Sequence, residues 1–171
     1  PRGKSRHSAR CQKIRTSNTK SGTTSPMKSI ITAFALSLIT SASMAAEHKI
    51  KMLNYGQEGG MVFEPGYVKA EVGDTITFIP ENSSHYVQSF AVPEGVKAWK
   101  SKLDEEFTVT VDQEGVYLYY CPPHLMMAMI GVIQVGKPVN LDAVKEKSAK
   151  LRSKLVMKGE RLDNYLGQVS D

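Results

Sequence analysis

Residues 121–129, Cys121-Pro-Pro-His124-Leu-Met-Met-Ala-Met129, place one thiol, one imidazole and three thioethers within nine consecutive positions. Thiolate and thioether are soft donors that suit Cu(I), while imidazole serves copper in both oxidation states. Two His and one Cys in a trigonal arrangement, with a weak and long axial Met, make the ligand set of blue-copper electron-transfer centres. The nonapeptide lacks one imidazole of that set, and the other histidines are His7, His48 and His85. His85, between strand-like runs, is better placed than His48, which falls where a folded chain begins and fraying is expected. A single Cys is commonly a buried apolar residue and Met commonly fills gaps in a core. The clustering, with His three after Cys and Met five after His, ranks the metal reading above that one. Pro122 and Pro123 remove two backbone donors and restrict two φ angles, so the segment between Cys121 and His124 is stiff.

The elements that must position these groups read as short strands. Residues 48–54, 61–63, 67–72, 75–79, 87–92, 107–111, 116–121 and 131–135 carry apolar runs or alternation, with Ile50 and Met52 on one face and Ile76 and Phe78 on another. Gly56, Pro65-Gly66, Gly73-Asp74, Pro80 and Gly115 punctuate them, which is the pattern of an antiparallel sandwich or barrel. Residues 93–106 read as irregular. Cys121 ends one strand, and His124 and the methionines occupy a loop leading to the last. From Asn140, a plausible N-cap, the period changes: Leu141, Val144, Leu151, Leu155, Leu162, Tyr165 and Leu166 recur at helical spacing. Gly159 separates two expected helices within about 140–168, which pack on the sandwich and carry no chemistry.

The N-terminal part is different in kind. Met27-Lys28, the apolar run 30–40 and Ser43-Met-Ala45-Ala46 have the charged, apolar and small-residue regions of a secretory signal peptide. The run is shorter than the roughly 20 apolar residues of a membrane span. Residues 27–45 therefore read as a signal peptide, with the mature chain 46–171 starting at Ala46 or Glu47. Residues 1–26, rich in Lys, Arg, Ser and Thr, read as disordered or as translated upstream of the true start. Eight of the 22 Lys and Arg residues and none of the 17 Asp and Glu residues lie in 1–45, which leaves 14 against 17, a net charge of −3. Nucleic-acid binding needs a basic face, and this balance argues against it. Cys11 goes with the leader, and the single Cys that remains can only be a free thiol or a metal ligand.

The mature chain resembles the pseudoazurin family of the cupredoxin superfamily along nearly its whole length. The resemblance rests on Met52-Leu-Asn54, Gly60-Met61-Val62-Phe63-Glu64-Pro65, Gly73-Asp74-Thr75-x-Thr77-Phe78-Ile79-Pro80, Ser84-His85, Lys100-Ser101-Lys102, Gly115-Val116-Tyr117 and, most specifically, Cys121-x-Pro123-His124-x-x-Met127-x-Met129-x-Gly131-Val132-x-Gln134-Val135-Gly136. It implies a mainly β, cupredoxin-like Greek-key β-sandwich with two C-terminal α-helices. It also implies one type 1 copper per chain, held by His85, Cys121, His124 and Met129. Met127, at the spacing that resembles amicyanin, then becomes an apolar contact beside the site. Tyr86 stands where family members carry Asn after the first His. Tyr55, Ser83 and Tyr120 occupy places of lysines that steer acidic partners, leaving chiefly Lys100 and Lys102.

The implied function is a soluble, monomeric periplasmic electron shuttle, not an enzyme, cycling Cu(I) and Cu(II). Its partners would be redox proteins, a denitrification enzyme such as nitrite reductase or a c-type cytochrome, with no nucleic acid and no membrane insertion. A copper enzyme needs a second centre with further histidines, and only His48 is left over. A periplasmic copper carrier is the alternative, for which a stiff and anchored loop is poorly suited.

Overall fold

The computed structural model of the chain describes residues 44–171. The segment 1–26 and all but the last two residues of the expected signal peptide lie outside the described residues. Eight strands follow one another: β1 (Glu47–Gly56), β2 (Gly59–Glu64), β3 (Tyr67–Ala70), β4 (Thr75–Pro80), β5 (Gln88–Ala91), β6 (Phe107–Thr110), β7 (Gly115–Tyr120) and β8 (Ile130–Val135). A 3₁₀ segment, Pro122–Met127, separates β7 from β8, and the helices α1 (Leu141–Arg152) and α2 (Glu160–Leu166) close the chain. Each strand falls on a stretch whose apolar run or alternation suggested one.

Two four-stranded sheets form the sandwich, in the orders β2-β1-β4-β6 and β3-β8-β7-β5. Antiparallel pairing was expected throughout, yet β1 runs parallel to β4 and β3 parallel to β8. Alternation tells which face a side chain takes and is blind to the direction of the neighbouring strand.

Alternation along β7 divides the interior in two. Tyr117 and Tyr119, with Cys121 beyond the strand end, enter the core between the sheets, where Phe63, Phe78 and Tyr119 meet edge to face at 4.9–6.1 Å. Such pairs add about 0.5–1.5 kcal/mol beyond their area burial. Val116 and Leu118 point the other way, onto Val144, Leu151, Leu162 and Tyr165 of the helices. Burial of each of these Leu side chains stabilises the fold by roughly 1.5–3 kcal/mol. With a core on both faces, all of β8 is buried.

Asn140 stands at the α1 N-cap position, but its side chain makes no capping bond. Its amide instead accepts the Val116 N–H at 2.6 Å and donates to the Val116 carbonyl at 3.0 Å. β5 pairs with β7 only from Leu118 onward, so the amide supplies a strand partner that is missing there. Gly159 lies just before α2, at the end of a break between the helices.

Candidate metal centre

Two arms of chain converge at one end of the inter-sheet core. The first is the turn from β7 to β8. Tyr120 faces Ile130 at the end of that ladder, and one step further the Cys121 N–H donates to the Met129 carbonyl at 2.9 Å. Opposed residues of an antiparallel pair share a face, and Cys121 and Met129 both enter the core, each at 0% exposure. The expected loop between them is a 3₁₀ segment. Pro122 and Pro123 occupy its start, where a missing N–H costs nothing because those donors have no intrahelical partner. The His124 N–H bonds the Cys121 carbonyl at 3.1 Å, and the Met129 N–H bonds the His124 carbonyl at 3.2 Å. The segment is thus closed upon itself.

The second arm joins β4 to β5 and carries His85, also at 0% exposure. The Asp104 carboxylate accepts the His85 N–H at 2.9 Å, and the Asp104 N–H returns a bond to the His85 carbonyl at 2.8 Å. Ser101 does the same for Val87, its hydroxyl accepting the Val87 N–H at 3.0 Å and its own N–H bonding the Val87 carbonyl at 2.9 Å. Backbone N–H groups of Ser84 and His85 hold the Asp104 carboxyl below its usual range. The irregular stretch 93–106 therefore has a definite task, which is to clamp the His85 arm.

Between the arms, His85 Nδ1 lies 3.8 Å and His124 Nδ1 3.5 Å from Cys121 Sγ. The two rings are 4.8 Å apart, and the donor atoms of all three residues lie within 4.8 Å of one another. His85 Nε2 is 3.0 Å from the Asn54 carboxamide oxygen. An oxygen there requires the proton on Nε2, which leaves the Nδ1 lone pair facing the thiol. Metal-binding histidines typically use such a partner to fix tautomer and ring orientation.

Burial pushes the Cys121 thiol up, with the Tyr86 and His124 N–H groups pulling it back in part. Burial pushes His85 down, helped by neighbouring His124, and pushes His124 down as well. Two imidazoles biased to the neutral form around a thiol that a metal must deprotonate suit a soft cation, which releases a proton on binding. The donor set, one thiol and two imidazoles with a thioether residue beside them, fits copper.

Of the residues singled out in the sequence, His85, Cys121 and His124 come together, and Met129 sits across the ladder from Cys121. Met127 is 40% exposed. His48 is elsewhere, bonded to Asp74 at 2.8 Å, and His7 lies outside the described residues. Around His124, itself half-buried, Pro123, Met126 and Met127 are exposed, and Pro122 and Leu125 are half-buried. Lys100 Nζ stands 4.9 Å over the Tyr86 ring, Lys102 pairs with Glu105 at 3.3 Å, and Tyr55 is exposed. Asn54, Asp104 and Arg161 were not recognised as parts of this region. Asn54 does lie in a quoted family motif, but nothing in its own neighbourhood announces a bond to a histidine 31 residues away.

Comparison with known proteins follows the same line. The sequence model of the family described as copper binding proteins, plastocyanin/azurin family, matches residues 50–136. Pseudoazurin of Paracoccus pantotrophus is 45% identical over 141 residues, covering 81% of this chain and 94% of the relative. The crystal structure of native pseudoazurin from Hyphomicrobium denitrificans superposes with a TM-score of 0.65 at 38% identity, over 73% of this chain and 99% of that one. The refined crystal structure of pseudoazurin from Methylobacterium extorquens AM1 gives a TM-score of 0.63 at 37% identity, over 72% and 99%.

Proposed function

Because the chain belongs to the plastocyanin/azurin family of copper-binding proteins and to the pseudoazurins within it, one-copper electron-transfer proteins and not enzymes, we propose that it is an exported shuttle whose copper is held by His85, Cys121, His124 and, axially, Met129. The observation that carries the ligand reading is the convergence of two Nδ1 atoms on one buried thiol. Opposition of Met129 to Cys121 across the ladder supports Met129 over Met127 as the axial donor. Bound there, copper supplies a one-electron couple between Cu(I) and Cu(II).

The protein's share is to hold the donors still. Asn54 and Asp104 fix His85 from both its ring and its backbone, and the 3₁₀ segment fixes His124 relative to Cys121. A centre that barely rearranges between oxidation states exchanges electrons without waiting for the chain to move. His124, half-buried among Pro123, Leu125 and Met127, is the route for the electron. A small apolar patch of this kind suits the brief, limited interfaces of redox encounters. The specific partners are a nitrite reductase or a c-type cytochrome, met by a monomer in the periplasm after removal of residues 1–45. Two bonds support a mature start at Ala46: its N–H donates to Asp74 at 2.7 Å, and its carbonyl accepts from Thr75 at 2.9 Å.

The test is the visible spectrum of the exported, copper-loaded and oxidised protein. An intense blue band with one copper per chain is expected. A colourless protein that holds copper overturns the thiolate assignment and favours a copper carrier. Electron transfer to nitrite reductase, followed by loss of reduced protein after mixing, tests the partner.

A further inference from the structure

The helices were expected to serve packing alone, yet α2 sends a buried cation to the copper-site turn. Arg161 is 4% exposed, and its guanidinium donates to five backbone carbonyls. Nη1 reaches Met61 at 2.8 Å, Ala128 at 3.2 Å and Met127 at 3.3 Å, and Nη2 reaches Glu58 at 2.8 Å and Gly60 at 3.0 Å. Nε, also buried, has no partner among the described residues. An apolar side chain would pack here without the cost of desolvating a charge, but it would give these carbonyls no donor. The arginine therefore does something that packing does not need.

Ala128 shows what that is. It is fully buried and left-handed, with φ 54° and ψ 42°. This conformation costs an L-residue other than Gly roughly 1–2 kcal/mol, and it persists only where the surroundings hold it. The Met127 and Ala128 carbonyls belong to the two peptide planes that meet at Ala128. Nη1 of one rigid, planar guanidinium therefore bonds both planes, immediately before Met129. The same guanidinium ties them to Glu58 in the turn between β1 and β2 and to Gly60 and Met61 at the start of β2.

We propose that Arg161 is a positioning residue for the axial side of the copper centre: by fixing both peptide planes at Ala128, it sets where Met129 stands relative to His85, Cys121 and His124. The inference rests on the ligand reading above, and the test separates the two. Copper release to a chelator and the Cu(II) absorption spectrum are measured for wild type, Arg161→Gln, Met129→Leu and the double variant, with thermal unfolding of each copper-free protein.

Arg161→Gln is expected to release copper about tenfold faster, the lower end of what loss of a residue supporting a metal ligand costs, and to alter the spectrum. In the Met129→Leu background the same change is expected to alter release by less than about twofold, because interacting sites are non-additive. Equal fold-changes in both backgrounds, or a lowered melting temperature with release and spectrum unchanged, overturn the proposal. Met129→Leu without effect overturns the axial assignment as well. Met129→Leu with an effect and Arg161→Gln without one overturns this inference alone. Arg161→Lys keeps the charge and loses the fork, so an effect in the same direction is expected from it too, and it replaces Arg161→Gln in the cycle if that variant fails to fold.

Discussion

His85 and His124 reach the same sulfur from opposite kinds of chain. His85 arrives on the irregular connection between β4 and β5, fully buried, with its ring bonded to Asn54 and its backbone clamped by Asp104. His124 sits on a compact 3₁₀ segment three residues from Cys121, held by local backbone bonds and half open to solvent. His85 is placed by side-chain partners far away in sequence, whereas His124 is placed relative to Cys121 by the turn, whose later residues Met126, Met127 and Ala128 are tied to the C-terminal segment. The fully buried His85 arm is therefore the anchor, and the His124 arm, half open to solvent, is free to face a redox partner.

The largest effect should come from removing what the two arms share. Cys121→Ser is expected to abolish the blue absorption, while the copper-free protein keeps a melting temperature within a few degrees of wild type, since the strands make the core. A variant that stays blue would sink the assignment of both arms.

A comparison of His124→Ala with His85→Ala sharpens the contrast directly. Added imidazole should restore the blue band in His124→Ala, whose site opens to solvent, and should fail in His85→Ala, whose site is fully buried. Rescue of both, or of His85→Ala alone, breaks the distinction between anchor and exit. A smaller change is Asn54→Ala, which frees the His85 ring without touching His124. Copper release about tenfold faster is expected, in line with the loss of a partner that fixes a metal-binding histidine. Release at the wild-type rate would show that the clamp on the backbone suffices.

The third described histidine makes the smallest prediction and serves as a control. His48 bonds Asp74, which also accepts the Ala46 and Glu71 N–H groups. The Glu71 N–H bond first, then His48 and Ala46, pull the Asp74 carboxyl from 3.8 to about 2. Its folded pKa is depressed, so this stabilisation is present above about 3.8 and fades as pH falls toward 2. Asp74→Asn should lower the melting temperature by a few degrees at pH 7, a deficit that shrinks across that window. The deficit should be the same with and without copper, because this pair lies apart from the metal arms. A deficit that depends on copper would tie His48 to the site after all.

The strands were legible because alternation is written in neighbouring residues, and so was the Cys-x-x-His-x-x-x-x-Met spacing of one arm. The helical period from Leu141 was equally plain, although Asn140 turned its side chain to β7 and not to its own helix. Parallel pairing of β1 with β4 and of β3 with β8 was not legible, since no local pattern records the direction of a partner.

The sequence by itself determined the donor types and the stiffness of the segment after Cys121, both of which depend on residues a few positions apart. The tertiary structure brought His85, already favoured over His48 by the sequence, beside Cys121, and it alone decided that Asn54 orients its ring across 31 residues and that Arg161 grips Ala128 across 33. A contact of that kind exists only after the sheets and helices have closed around it, and neither partner carries a local mark of the other.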